Sequence, residues 1–141
     1  MSSVRLVIPA AAEYMDLVRL CLYGMASKAG FSYEDIEDMK VAVGEACNNA
    51  VLHAYPHDGD SEPATIELSF EQEVSRFIVK VKDRGMSFNH ARALEEATPI
   101  QAEEPSELQA GGLGLYLMQA LMDEVHIRTD DGTEVTLTKY K

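Results

Sequence analysis

The sequence predicts an α+β protein, a two-layer sandwich in which helices cover one face of a mixed, mostly antiparallel sheet. Three observations lead there. Short runs alternate apolar with polar residues, the period of a half-buried strand. Longer runs repeat apolar residues at helical spacing. The elements also fall in the order β-α-α-β-β-loop-α-β-β, in which neighbouring strands suit hairpins rather than parallel crossovers.

Each element has its own signal. Val4, Leu6 and Ile8 alternate with Arg5 and Val7, and Pro9 ends this first strand. From Ala11 to Ala29, Tyr14, Leu17, Cys21, Leu22, Met25 and Ala29 mark a helix that Gly30 stops. Ser32 is the expected N-cap of a second helix running to about His53, with Asp35 in its first turn. "PHDGDSEP" reads as a turn-rich loop. Ile66, Leu68 and Phe70 form one strand, and Phe77, Val79 and Val81 form its hairpin partner, ended by Asp83 and Gly85. Asn89 to Ala110 is acidic, weakly patterned and interrupted by Pro99 and Pro105, a loop length usually tied to function. "GGLGLYLMQALMDEV" opens a third helix on a glycine turn. Val125 to Thr129 and Thr133 to Tyr140 make a last hairpin around "DDGT".

At 141 residues, 46% of them hydrophobic and 26% charged, the chain suits a single globular domain over residues 1–141. A domain of this size buries roughly 70% of its unfolded surface. No apolar run approaches the ~20 residues of a membrane span, and the N-terminus does not read as a secretory signal. The net charge of −12 disfavours direct contact with nucleic acid and favours a basic protein surface. Cys21 and Cys47 lack metal or CxxC spacing and read as reduced thiols in a cytoplasmic protein.

Three places carry chemistry. On the second helix, Asp38, Ala42, Glu45 and Asn49 form one stripe, opposite Ile36, Met39, Val43, Ala46, Cys47 and Ala50. A solvent-facing stripe is the plain alternative, but Val41 and Leu52 flank it, which favours a pocket. In such a pocket Asn49 offers an amide oxygen suited to Mg²⁺. Glu45, one turn away, offers a carboxylate able to take a proton. In "KDRGMSF", Asp83 ends a strand two residues before Gly85, an acceptor where backbone can approach a ligand, although Asp-x-Gly is also a common turn. In "GGLGL", Gly111 to Leu115, helix-opening N–H groups without Cβ obstruction suit phosphate. It is neither a P-loop nor a dinucleotide fingerprint.

With these residues in place, the whole chain resembles the GHKL ATP-binding superfamily of gyrase, heat-shock chaperone and histidine-kinase domains. "GEACNNAVLHAY" is similar to its N box, "DRGMSF" and "GGLGL" to its two glycine boxes, and "GTEVTLT" to its closing strand. The resemblance is strongest to the small bacterial anti-sigma factor serine kinases of the general stress response. It is carried by "RLCLYGMASKAGFSYEDIEDMKVAVGEACNNAVLHAY" and "GGLGLYLMQALMDEV".

The resemblance implies ATP and Mg²⁺, with Asn49 on the metal and Glu45 as catalytic base. It implies Asp83 on the adenine amino group with help from Thr133, and Gly112 and Gly114 around phosphate. His53, Gly85, Ser87, Gly111 and Leu113 complete the implied nucleotide-binding set. A mobile lid is implied at about 89–111, and Arg19 matches an arginine implicated in partner contacts. The implied partners are a sigma factor, an antagonist (anti-anti-sigma) protein phosphorylated on Ser or Thr, and a second copy of the chain. Ser87 stands where the family's first glycine box usually has a second glycine, which bears on how the lid hinges. The chain stops at "TKYK" where some relatives continue with a short tail, so a contribution from that tail is not assumed.

Three other readings fit the residues less well. A sensor histidine kinase needs a phospho-acceptor helical domain, and His53, His57, His90 and His126 sit in no such context. A binding-only anti-sigma module would need the metal ligand more than the base, so Glu45 argues against it. A metal site built from His53, His57 and Cys47 has no recognised spacing.

Overall fold

A computed structural model describes residues 2–54, 64–83, 113–129 and 132–141, the side chains of 53 and 54 apart. Gly85, Ser87, Gly111, Gly112, His57, His90 and the expected lid lie outside the described residues.

The described elements follow the expected order. Strand β1 (Ser2–Pro9) leads through a 3-10 turn (Ala12–Tyr14) into α1 (Met15–Lys28), then α2 (Tyr33–Asn49). A single π-helical turn (Ala50–Ala54) extends α2. Strands β2 (Thr65–Gln72) and β3 (Arg76–Asp83), helix α3 (Leu113–Leu121), and strands β4 (Glu124–Arg128) and β5 (Thr133–Tyr140) complete the set. The sheet order is β1-β2-β3-β5-β4, and all four described pairings are antiparallel.

The boundaries follow local chemistry. Gly30, at φ 93°, ends α1 in the left-handed region that a Cβ disfavours. Its N–H donates to the Ser27 carbonyl and that of Phe31 to the Ala26 carbonyl, a Schellman arrangement that satisfies the last helical carbonyls. Ser32 Oγ then accepts the Asp35 N–H at 3.1 Å, capping α2 as expected. The residues between the two helices are thus a stop and a start placed back to back.

The core lies between the helices and one face of the sheet. Val18, Leu22, Met25 and Ala26 of α1 are buried, as are Ile36, Met39, Val43 and Cys47 of α2. They pack with Ile66, Leu68 and Phe70 of β2 and Phe77, Val79 and Val81 of β3. Phe31 meets Phe77 edge to face, with ring centres 5.9 Å apart. Burying one such side chain contributes about 1.5–3 kcal/mol. Burial also pushes the Cys47 thiol up to about 12, the Arg19 charge pulling weakly the other way. Both cysteines are free thiols.

The other sheet face is a lattice of paired charges. Glu67, Lys82, Glu134 and Arg128 stand in register across four strands. Arg5 pairs with Glu67, Lys80 with Glu71 at 3.4 Å, and Arg128 with Glu134 at 3.8 Å. Among the described residues, no helix is long and apolar enough to cross a membrane.

Candidate functional site

Helix α2 is flanked by two neighbours and presents a different stripe to each. Towards α1 it turns Lys40, Gly44 and Asn48, which line a cleft with Met15, Arg19 and Leu22. Towards α3 it turns Glu45 and Asn49, which meet Gly114 in the first turn of that helix. A methyl group built on Gly114 would lie 2.8 Å from Glu45 Oε1 and 3.7 Å from Asn49 Nδ2. Gly114 and this stripe of α2, far apart in sequence, therefore meet at one point.

Asn49 is buried, Glu45 is half-buried, and Ala42 of the same stripe is fully covered. The stripe is a contact surface and not a solvent face. Its expected apolar flanks, Val41 and Leu52, are 45% and 69% exposed. Directly after Asn49 the backbone widens into the π turn, an irregularity often found at functional sites. The smooth apolar run "AVLHAY" gave no signal for it.

The second component lies on the sheet. Asp83 ends β3 and Thr133 begins β5, and the two are register partners. Each continues the inward alternation of its strand, after Val81 and before Val135 respectively, so both face the helix layer. Asp83 is 3% exposed and Thr133 2%. The Thr133 hydroxyl has no hydrogen-bond partner among the described residues. A buried hydroxyl left so costs about 1–3 kcal/mol, a deficit that a polar ligand can remove.

Helix α3 is held from its far end. Lys139 Nζ donates to the Leu121 carbonyl at 3.1 Å, and the Asp123 N–H donates to the Thr138 carbonyl at 2.9 Å. Leu115 and Met118 anchor the same helix in the core. Leu113, at its start, is exposed.

Of the predicted residues, the structure brings together Glu45, Asn49 and Gly114, and separately pairs Asp83 with Thr133. It places Arg19 in the α1–α2 cleft, away from that meeting point. Arg19 is exposed and makes no ion pair with a described residue. Among the described residues, no cluster of three or more His, Cys, Asp or Glu side chains could hold a metal by itself. An amide oxygen sharing an ion with a phosphate substrate needs no such cluster. The residues present fit a nucleotide: a bare helix start, an amide and a carboxylate beside it, and a buried hydroxyl without a partner.

Residues 8–139 match the family model of the histidine kinase-like ATPase domain. The serine-protein kinase RsbW of Bacillus licheniformis is 45% identical over 133 residues, covering 94% of this chain and 81% of that protein. The serine-protein kinase RsbW of Listeria monocytogenes is 44% identical over 138 residues, covering 97% of this chain and 86% of that protein. A crystal structure of the RsbU and RsbW domains of a Mycobacterium tuberculosis protein aligns with a TM-score of 0.69. It covers 99% of this chain and 32% of that one, and at 23% identity it is a likeness of fold.

Proposed function

Because the chain belongs to the histidine kinase-like ATPase domain family, and within it to the serine-protein kinases RsbW, we propose that it is an ATP-dependent protein serine/threonine kinase that also acts as an anti-sigma factor. It binds and sequesters a sigma factor, and it phosphorylates an antagonist of that sequestration. Switching between the two partners regulates stress-response transcription. The observation that carries the catalytic part is the meeting of Glu45 and Asn49 with the bare Gly114.

In this reading the γ-phosphoryl of ATP passes to a serine or threonine hydroxyl of the antagonist, and ADP leaves. The protein's task in such a transfer is positioning and charge neutralisation. Glu45 accepts the proton that the attacking hydroxyl releases. Asn49 would hold Mg²⁺, and the glycine turn from Gly111 to Gly114 would hold phosphate. When bound, Mg²⁺ draws charge from the phosphate oxygens. Asp83 accepts from the adenine amino group, and the Thr133 hydroxyl gains in the nucleotide the partner it otherwise lacks. His53, Gly85, Ser87 and Leu113 complete the nucleotide contacts, and residues 89–111 serve as a lid within a single domain spanning 1–141.

Partner binding uses other surfaces. Arg19, exposed in its cleft and without an ion pair to a described residue, contacts a partner protein. Leu17, Leu20 and Tyr23 of α1 are exposed, apolar side chains on the amino-terminal half that support a homodimer. The protein works in the cytoplasm, where sigma factor and ATP are found. Its charge of −12 repels an antagonist that already carries phosphate, so the unmodified antagonist binds more tightly. Equal affinity for both forms of the antagonist would remove that charge argument.

The experiment is to incubate the protein with labelled ATP, Mg²⁺ and candidate antagonist proteins, comparing wild type with Glu45→Ala and Asn49→Ala. Label on a hydroxyl side chain that disappears in both variants supports the assignment. Glu45→Ala is expected to keep nucleotide binding and Asn49→Ala to weaken it. Equal loss of ATP affinity in the two variants would refute the division of roles.

A further inference from the structure

We propose that Gly114 is a positioning residue for Glu45: its missing side chain leaves the space in which the Glu45 carboxylate stands. The inference rests on Glu45 being the proton acceptor. It assigns Gly114 a task different from the phosphate contact given above to the glycine turn as a whole.

A carbon 2.8 Å from Glu45 Oε1 is well inside ordinary contact, so with any side chain at 114 something must move. Helix α3 is poorly placed to yield. Leu115 and Met118 are sunk in the core, and the Lys139 contact to the Leu121 carbonyl fixes the other end of the helix. Asn49, at 3.7 Å, is in ordinary contact and has no reason to shift. The Glu45 carboxylate is the far end of a flexible side chain and is half-exposed, so it gives way, by several tenths of an ångström. Proton transfer depends on hydrogen-bond reach to the attacking hydroxyl, and a misplacement of that order in a catalytic group costs about 10–100-fold. Gly114→Ala should therefore separate catalysis from nucleotide binding. A glycine that served phosphate approach alone would instead lose affinity when given a Cβ.

The test uses the full chain as wild type, Gly114→Ala, Glu45→Ala and the double variant. Affinity for a non-hydrolysable ATP analogue with Mg²⁺ is measured by calorimetry. Transfer from labelled ATP, at saturation, is measured to the antagonist protein identified in the preceding assay. Thermal unfolding is followed alongside. Gly114→Ala is expected to melt no earlier than wild type, because alanine is the better helix former. Its analogue affinity should fall by less than about 10-fold, as one contact of the phosphate-holding turn is disturbed, while transfer at saturation falls about 10–100-fold. In the Glu45→Ala background the same change should cost less than about 2-fold, since residues acting as one unit are not additive. An earlier melt, a 10-fold affinity loss with transfer retained, or an equal loss of transfer in both backgrounds would each overturn the inference and leave Glu45 as base. Unchanged transfer in Glu45→Ala would instead remove the base assignment itself, and the inference with it.

Discussion

Lys82 and Asp83 are consecutive on β3, and Glu134 and Thr133 are their register partners on β5, yet the two rows meet opposite fates. Lys82 and Glu134 stand on the open face of the sheet, in a row of alternating charges at the surface. Asp83 and Thr133 stand on the covered face, nearly inaccessible, with the Thr133 hydroxyl lacking a partner among the described residues. One residue of strand period separates polar groups matched by their neighbours from polar groups arranged for something else. The first row alternates opposite charges across the strands, whereas in the second the Thr133 hydroxyl has no hydrogen-bond partner among the described residues. Polarity alone therefore does not mark a site on this sheet, whereas burial with an unmet hydrogen bond does.

Substitutions can break that contrast, and the covered side should respond most. Glu45→Ala is expected to lower phosphoryl transfer about 10²–10⁴-fold at saturating ATP with little change in fold stability, read from initial rates and a melting curve. Asp83→Ala removes a buried acceptor and should weaken nucleotide binding by about 1.5–3 kcal/mol, measured by calorimetry. Thr133→Val changes two quantities in opposite senses. The ligand-free protein should gain about 1 kcal/mol in denaturant unfolding, because an unpartnered hydroxyl is gone, while nucleotide affinity falls several-fold.

Cys47 supplies a third kind of burial, with no expected ligand. Its folded value of about 12 lies above the ordinary 9.0, so its contribution to stability is fully present below about pH 9. That contribution is lost as pH rises towards 12, about 1 kcal/mol by about pH 10. Comparing wild type with Cys47→Ala between pH 8 and 10.5 isolates this slope. The smallest effect belongs to the open face. Arg5→Ala removes an exposed ion pair and should cost less than about 1 kcal/mol, with phosphoryl transfer unchanged. A large loss of activity there would mean that the two faces are not independent.

Much of this was legible in the sequence because it is local. The alternation of Ile66, Leu68 and Phe70 fixes which side of β2 is buried whatever its neighbours are. Ser32 and Gly30 announce a helix start and a helix stop through their own backbone chemistry. Glu45 and Asn49 could be placed on one stripe by periodicity, and the resemblance supplied their roles. The face that each stripe of α2 presents to α1 or α3 was not legible, because it depends on packing between distant segments. The close approach of Gly114 to Glu45 and the unmet hydroxyl of Thr133 are likewise properties of pairs distant in sequence. No pattern within either segment encodes them.

The sheet order has a consequence for the life of the chain during synthesis. Strand β5 leaves the ribosome after every other described element, yet it lies inside the sheet, between β3 and β4. Thr133 reaches Asp83 only when that strand inserts. A nascent chain can therefore build the β1–β2–β3 sheet and both amino-terminal helices before Asp83 gains its register partner on β5. A chain cut short before β5 would therefore keep that amino-terminal sheet and lack the Asp83–Thr133 pair.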